Sequence, residues 1–186
     1  MKRIFDLILG IIILIILIIP MLLIFICIRI SSKGSGLYWS QRIGRNSIIF
    51  NMPKFRTMQV NTPSVATHLL DNPDVYLSSI GGFLRATSLD ELPQLFSILK
   101  GDMSFVGPRP ALHNQKDLIT LRIEKGIDKL IPGITGWAQV NGRDELSIVD
   151  KVKLDEEYMK NRSFMFDLKI LLVTFLKVVK KDGVSH

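Results

Sequence analysis

The sequence predicts an α-rich α+β fold, with one apolar N-terminal helix followed by a small domain of short strands and amphipathic helices. Three observations predict it. Leu7 to Ile28 carries no charged residue, and Ile11 to Ile19 is nothing but Ile and Leu. Further along, apolar residues recur at helical spacing in several segments. Between those segments, stretches with Gly, Pro and Asn separate short extended pieces. The chain has 186 residues, enough for one domain with a real core. Residues 1–30 form the membrane segment and 31–186 the domain.

The apolar run of 22 residues reaches roughly 33 Å as a helix, about one bilayer core. Lys2 and Arg3 precede it, and Arg29 and Lys33 follow. No small-x-small cleavage site follows it, and it is too long for the core of a signal peptide, so it is read as retained. Two geometries satisfy it. A straight helix spans the bilayer. A re-entrant helix enters, turns and leaves on the same face, which positive charge on both flanks favours. Pro20 supplies a place to turn, because it lacks the N–H that would bond the Ile16 carbonyl. Many spanning helices also carry a proline and only kink.

Ser31 to Gly36, "SSKGSG", reads as a flexible joint. Leu37 to Met58 reads as two short extended pieces with a turn at Gly44 and Asn46. Val60 to Tyr76 reads as a loop with one or two helical turns. Ile80, Phe83 and Leu84 have helical spacing, with Gly81 and Gly82 as breakers. Leu92, Leu95, Phe96 and Leu99 predict a helix face that ends at Gly101. "DMSFVGPRPAL" is a rigid loop whose prolines, Pro108 and Pro110, bracket Arg109. A helix follows up to about Lys125, broken by Gly126. Pro132 to Arg143 is loop or short strand, and "SIVDKVKLDEEYMKNR" a polar helix. Residues 163–181 form an amphipathic helix. Its lysines, Lys169, Lys177, Lys180 and Lys181, can snorkel while its apolar face meets either lipid or core.

Charge and composition narrow the function. The chain holds 24 Lys+Arg against 17 Asp+Glu, a net charge of +7. Beside an apolar segment, that excess suits anionic headgroups. No Arg/Lys stripe interleaves with stacking aromatics, so nucleic acid is not the expected partner. Cys27 is the single cysteine, which excludes an internal disulfide. His68, His113 and His186 have no zinc-ligand spacing.

Chemistry concentrates in "RATSLDELPQL". Asp90 is expected at or near a helix N-cap, since Pro93 would then fall where its missing N–H is an orphan anyway. The partial positive charge of a helix start would keep Asp90 ionised. Asp90 and Glu91 together can hold Mg²⁺, which takes oxygen ligands and fills its shell with substrate phosphates. Arg85, Arg109, Lys54, Arg56 and Arg143 suit a diphosphate. An isolated Asp-Glu pair at a helix start is most often only a cap. Without a Ser-His or zinc constellation, the pair with its cations points to phosphoryl transfer, where positioning and electrostatics dominate. A carboxylate nucleophile is an established option there.

With "KRIFD", "SQRIGRN", "KFRTM", "RATSLDELPQL", "GDMSFVGPRP" and "PGITGWAQVNGR" in that order, the chain resembles the small monotopic phosphoglycosyl transferases, also called bacterial sugar transferases. The resemblance implies a re-entrant helix broken at Pro20 and a catalytic domain on the cytoplasmic face of the bacterial inner membrane. It implies a Mg²⁺ cofactor and transfer of a sugar 1-phosphate from a UDP-sugar to undecaprenyl phosphate, releasing UMP. Asp90 would be the nucleophile and Glu91 its partner at the metal. Arg85 and Arg109 would contact phosphate. Lys54, Arg56, Pro108 and Pro110 come from matched motifs near the nucleotide. The phospholipid membrane, and downstream glycosyltransferases, are the further partners it suggests. Where the family commonly has Ser before the turn proline, this chain has Ile19.

Overall fold

The computed structural model describes residues 1–62, 72–142 and 146–180. Helix α1, Lys2–Ser31, runs as a continuous helix through Pro20. Among the described residues it alone is long and apolar enough to cross a membrane.

One stripe of α1 lies on the domain. Asp6, Gly10, Met21 and Ile28 are buried, and Ile13, Leu17 and Ile24 pack between them. These positions step by three or four residues, as one helix face requires. The opposite face is exposed and wholly apolar, with Ile8, Ile12, Ile15, Ile19, Leu22 and Ile26 along it. Both flanks are tied down. Lys2 pairs with Asp167 at 2.6 Å, and Arg3 donates to the carbonyls of Ile98 and Leu99. At the other end Arg29 donates to Gly34, and Arg56 takes Ser32 and Lys33. The expected flexible joint at residues 31–36 is therefore pinned, because guanidinium groups satisfy its carbonyls.

Strands β1, Leu37–Ile43, and β2, Ile49–Phe55, are the two expected extended pieces, and they pair antiparallel. Asn46 adopts a left-handed φ of 54° in its turn, a conformation that Asn tolerates. The expected turns at residues 60–76 appear as a 3₁₀ turn at Pro73–Tyr76. Residues 63–71 lie outside the described residues.

Gly81 and Gly82 open helix α2, Gly81–Ala86, where breakers were expected. Gly81 is needed for approach. A Cβ there would collide with the Thr57 carbonyl oxygen.

Helix α3 covers Gln94–Lys100 and ends at Gly101 with φ 104°, as expected. Its buried residues are Gln94, Leu95, Ser97 and Ile98, whereas Phe96 is 46% exposed, against expectation. The helix is turned so that Leu95 and Ile98 meet the core while Leu99 meets Gly10 of α1.

Strand β3, Ser104–Val106, pairs in parallel with β4, Gly133–Thr135. Parallel strands need a crossover. It is made by helix α4, Lys116–Glu124, and a 3₁₀ turn at Ile127–Lys129. Helix α5, Trp137–Val140, follows β4 directly.

Helix α6, Ile148–Asn161, is capped by Ser147, whose Oγ accepts from the Asp150 amide at 3.1 Å. Polar as it reads, it buries Val152, Asp155 and Tyr158. Helix α7 spans Phe164–Lys180. Ile170 and Asp167 face inward, while Phe164, Met165, Leu172, Phe175 and Leu176 are exposed. Lys169 lies 5.5 Å over the Trp137 ring, so it meets the domain instead of snorkelling. Lys181 is outside the described residues. Phe5 and Phe164 meet edge to face at 5.3 Å, which joins the apolar outer faces of α1 and α7.

Candidate active site

The carboxylates sit on a 3₁₀ turn, Leu89–Glu91, and not at the N-cap of α3. Pro93 explains the difference. It has no N–H to give, and the chain closes with short bonds on either side of it, Leu92 N–H to Leu89 and Leu95 N–H to Leu92. The regular ladder begins only after the proline, with Pro93 itself as the cap of α3. The helix-dipole argument for Asp90 therefore lapses. Just before the turn, Ser88 adopts a left-handed φ of 55°. Such conformations persist in non-glycine residues only where the surroundings enforce them.

Cations replace the dipole. Lys54, near the end of β2, places Nζ 2.8 Å from Glu91 Oε1 and 3.8 Å from Asp90 Oδ2. Arg109 Nη2 donates to the same Glu91 oxygen at 3.0 Å. The side chains of Asp90 and Glu91 are 12% and 14% exposed, and Arg109 is 32% exposed. The acids thus lie on the floor and Arg109 faces solvent, where an anion would arrive. Burial by itself would raise the Glu91 pKa. The charges and hydrogen bonds of Arg109 and Lys54 outweigh it and hold the group well below the usual carboxylate range.

Arg42 is not among the cations that the sequence points to. The structure brings it into the site. On β1, Tyr38, Ser40 and Arg42 alternate onto one face. The Arg42 Nε donates to Ser40 Oγ at 2.9 Å and Nη1 to the Pro110 carbonyl at 3.2 Å. Burial and the like charge of Arg109 push its pKa down to about 10, against the pull of Glu91. A charge this costly to bury is a stronger signal than its place in the sequence. The signal available there was its alternation with Tyr38 and Ser40.

The other expected residues divide. Pro108 and Pro110 are buried on either side of Arg109. Arg85 Nε donates to Thr57 Oγ1 at 3.0 Å. Arg56 is turned away, with its guanidinium held by the Ser32–Lys33 joint. Arg143 lies outside the described residues.

The donor chemistry fits Mg²⁺. Asp90 and Glu91 supply adjacent hard oxygens, and no cluster of three or more metal-ligating side chains occurs among the described residues. Two adjacent carboxylates are donors of the kind taken by an ion that completes its shell with substrate phosphates and water.

Buried acids meet Lys54 and Arg109, with Arg42 close by, beside a helix with an apolar outer face. The chain belongs to the bacterial sugar transferase family, whose model matches residues 1–181. It is 41% identical over 189 residues to "Uncharacterized sugar transferase EpsL" of Bacillus subtilis, covering 100% of this chain and 91% of the relative. It is 37% identical over 202 residues to the undecaprenyl-phosphate galactose phosphotransferase of Salmonella typhimurium, covering 98% of this chain and 41% of that protein. To the UDP-glucose:undecaprenyl-phosphate glucose-1-phosphate transferase of Escherichia coli it is 37% identical over 185 residues, covering 95% and 40%. The chain thus spans about two fifths of the length of those last two relatives.

Proposed function

We propose that this protein transfers a sugar 1-phosphate from a UDP-sugar to undecaprenyl phosphate, through a phosphosugar adduct on Asp90. The observation that carries the reading is the adjacent pair of acids that Lys54 reaches together, with Arg109 beside them. The Lys54 ammonium lies 2.8 Å from Glu91 and 3.8 Å from Asp90, and Arg109 adds to Glu91. Asp90 is the acid assigned to attack, and Glu91 its partner at the metal. The names of the Salmonella and E. coli relatives support the substrates.

In the first step an Asp90 carboxylate oxygen attacks the β-phosphorus, which bears the sugar. An O–P bond forms. The bond from that phosphorus to the bridging oxygen breaks, and UMP leaves with the electron pair. In the second step a phosphate oxygen of the polyprenyl carrier attacks the same phosphorus and expels Asp90. The product is polyprenyl diphosphate sugar. Arg109 and Arg42 face the charge that builds on the diphosphate and orient it, and their fixed positions act without reorganising. Glu91 and Asp90 would hold Mg²⁺, which supplies charge neutralisation on the phosphoryl oxygens.

The architecture suits two substrates of opposite solubility. Both flanks of α1 are fastened to the one domain, so both are assigned to the cytoplasmic side of the inner membrane. Mixing purified protein with Mg²⁺, undecaprenyl phosphate and a panel of UDP-sugars tests the activity. UMP release with at least one sugar, abolished by a chelator and by Asp90→Asn, is expected. Silence across the panel favours a membrane-anchored scaffold without chemistry.

A further inference from the structure

Arg109 meets Glu91 at 3.0 Å from a segment whose backbone is held in place. Four consecutive carbonyls from Pro108 to Ala111 are each taken by a donor. Gly133 N–H bonds Pro108 at 3.0 Å, and Ile43 N–H bonds Ala111 at 2.9 Å. Arg42 Nη1 bonds Pro110 at 3.2 Å, and Arg122 Nη1 bonds Arg109 at 2.8 Å. Pro108 and Pro110 have no N–H to offer, so the segment is gripped through its carbonyls.

The grip on Arg109 comes from outside the site. Arg122 belongs to α4, and its remaining donors reach across to α6. Nε lies 3.0 Å and Nη2 2.6 Å from Asp155 Oδ2. Asp155 is 1% exposed and the Arg122 side chain 12%. We propose that the Arg122–Asp155 pair is a brace that positions Arg109 for the diphosphate. Arg122 and Asp155 are positioning residues, acting through the Arg109 carbonyl. Energetics agree. Burial raises the Asp155 pKa even against its partner's charge. A buried ion pair often stabilises no better than apolar residues of the same volume, so stability alone does not account for it.

The proposal rests on the transferase reading only for what Arg109 binds. The test uses full-length protein in nanodiscs with the double variant Arg122→Met, Asp155→Leu, which removes the brace without orphaning a charge. Arg122→Lys serves as a second variant, retaining a charge on Asp155 while losing the fork. Two quantities are measured, amide hydrogen exchange across residues 107–113 and UDP affinity. The expected result is a melting temperature close to wild type, with exchange in that segment rising about fivefold to tenfold. UDP binding should weaken as much as in Arg109→Ala. Combining the double variant with Arg109→Ala should weaken it no further, because both act through one guanidinium. Arg122→Lys should lie between wild type and the double variant. Unchanged exchange across residues 107–113 in both variants overturns the brace. So does a loss that adds to that of Arg109→Ala. If exchange rises as expected but wild-type protein binds no UDP, the brace stands and the transferase reading falls.

Discussion

Glu91 accepts from Lys54 and Arg109 through one oxygen, and that sharing sets its behaviour with pH. Its folded-state pKa lies well below the ordinary 4.5. A depressed carboxylate stabilises the fold above its unfolded pKa and loses that contribution as pH falls through the folded value. Glu91→Gln should therefore cost roughly 1–3 kcal/mol at neutral pH, since Lys54 and the part-exposed Arg109 lose a charged partner. In thermal melts the gap from wild type should stay level down to about pH 5 and narrow below about 4.5. A gap that already closes near neutrality would contradict the pairing. Residue identity was legible at this scale. Asp90, Glu91, Lys54 and Arg109 were all named from motifs, and the fold brings them together. Their local frame was not legible, because Pro93 fits a third helical position and a cap equally well by sequence. Arg42 escaped notice because a basic residue on a strand looks like surface until the loop it grips is in place.

At the scale of elements, α1 shows why uniform hydropathy hides orientation. Nine consecutive Ile and Leu residues, 11–19, present the same side chains to every direction. The buried stripe is marked by residues that break the monotony: Asp6, Gly10 and Met21. Asp6 accepts from the Phe105 amide at 3.2 Å, and Gly10 lets Leu99 of α3 come close. A Cβ at Gly10 would already meet Leu99 at 3.0 Å. Gly10→Leu should overpack this crossing and cost about 1–3 kcal/mol. Ile12→Leu on the exposed face should leave the melting temperature unchanged. Equal effects would mean that α1 does not rest on α3. The two extended pieces with their turn, and the stop at Gly101, were readable because turn chemistry is local. Phe96 shares the apolar spacing of Leu92, Leu95 and Leu99 yet faces outward, because spacing alone does not tell core from outer surface.

At the scale of the whole molecule, the two flanks of the apolar helix reach one domain, through Lys2 to Asp167 and through Arg56 to Ser32. This predicts one topology. In a Cys27→Ser background, a single cysteine placed ahead of Lys2 and another at Ser35 should both resist an impermeant maleimide on intact cells. Both should react in inverted vesicles. Labelling of the N-terminal cysteine from outside would show a span. The sequence carried the flanking charges but not their partners, since Asp167 lies 165 residues from Lys2. The joined apolar faces of α1 and α7 would then set Asp90 near headgroup depth, where a soluble nucleotide and a lipid carrier can both reach it. That makes the fate of Asp90 the most direct test. Purified protein is mixed with Mg²⁺ and a UDP-sugar labelled in the sugar, without the lipid acceptor, and quenched. The mechanism predicts label covalently bound to wild-type protein, absent from Asp90→Asn and discharged when undecaprenyl phosphate is added. Turnover with acceptor but no trapped label would contradict it and leave direct displacement.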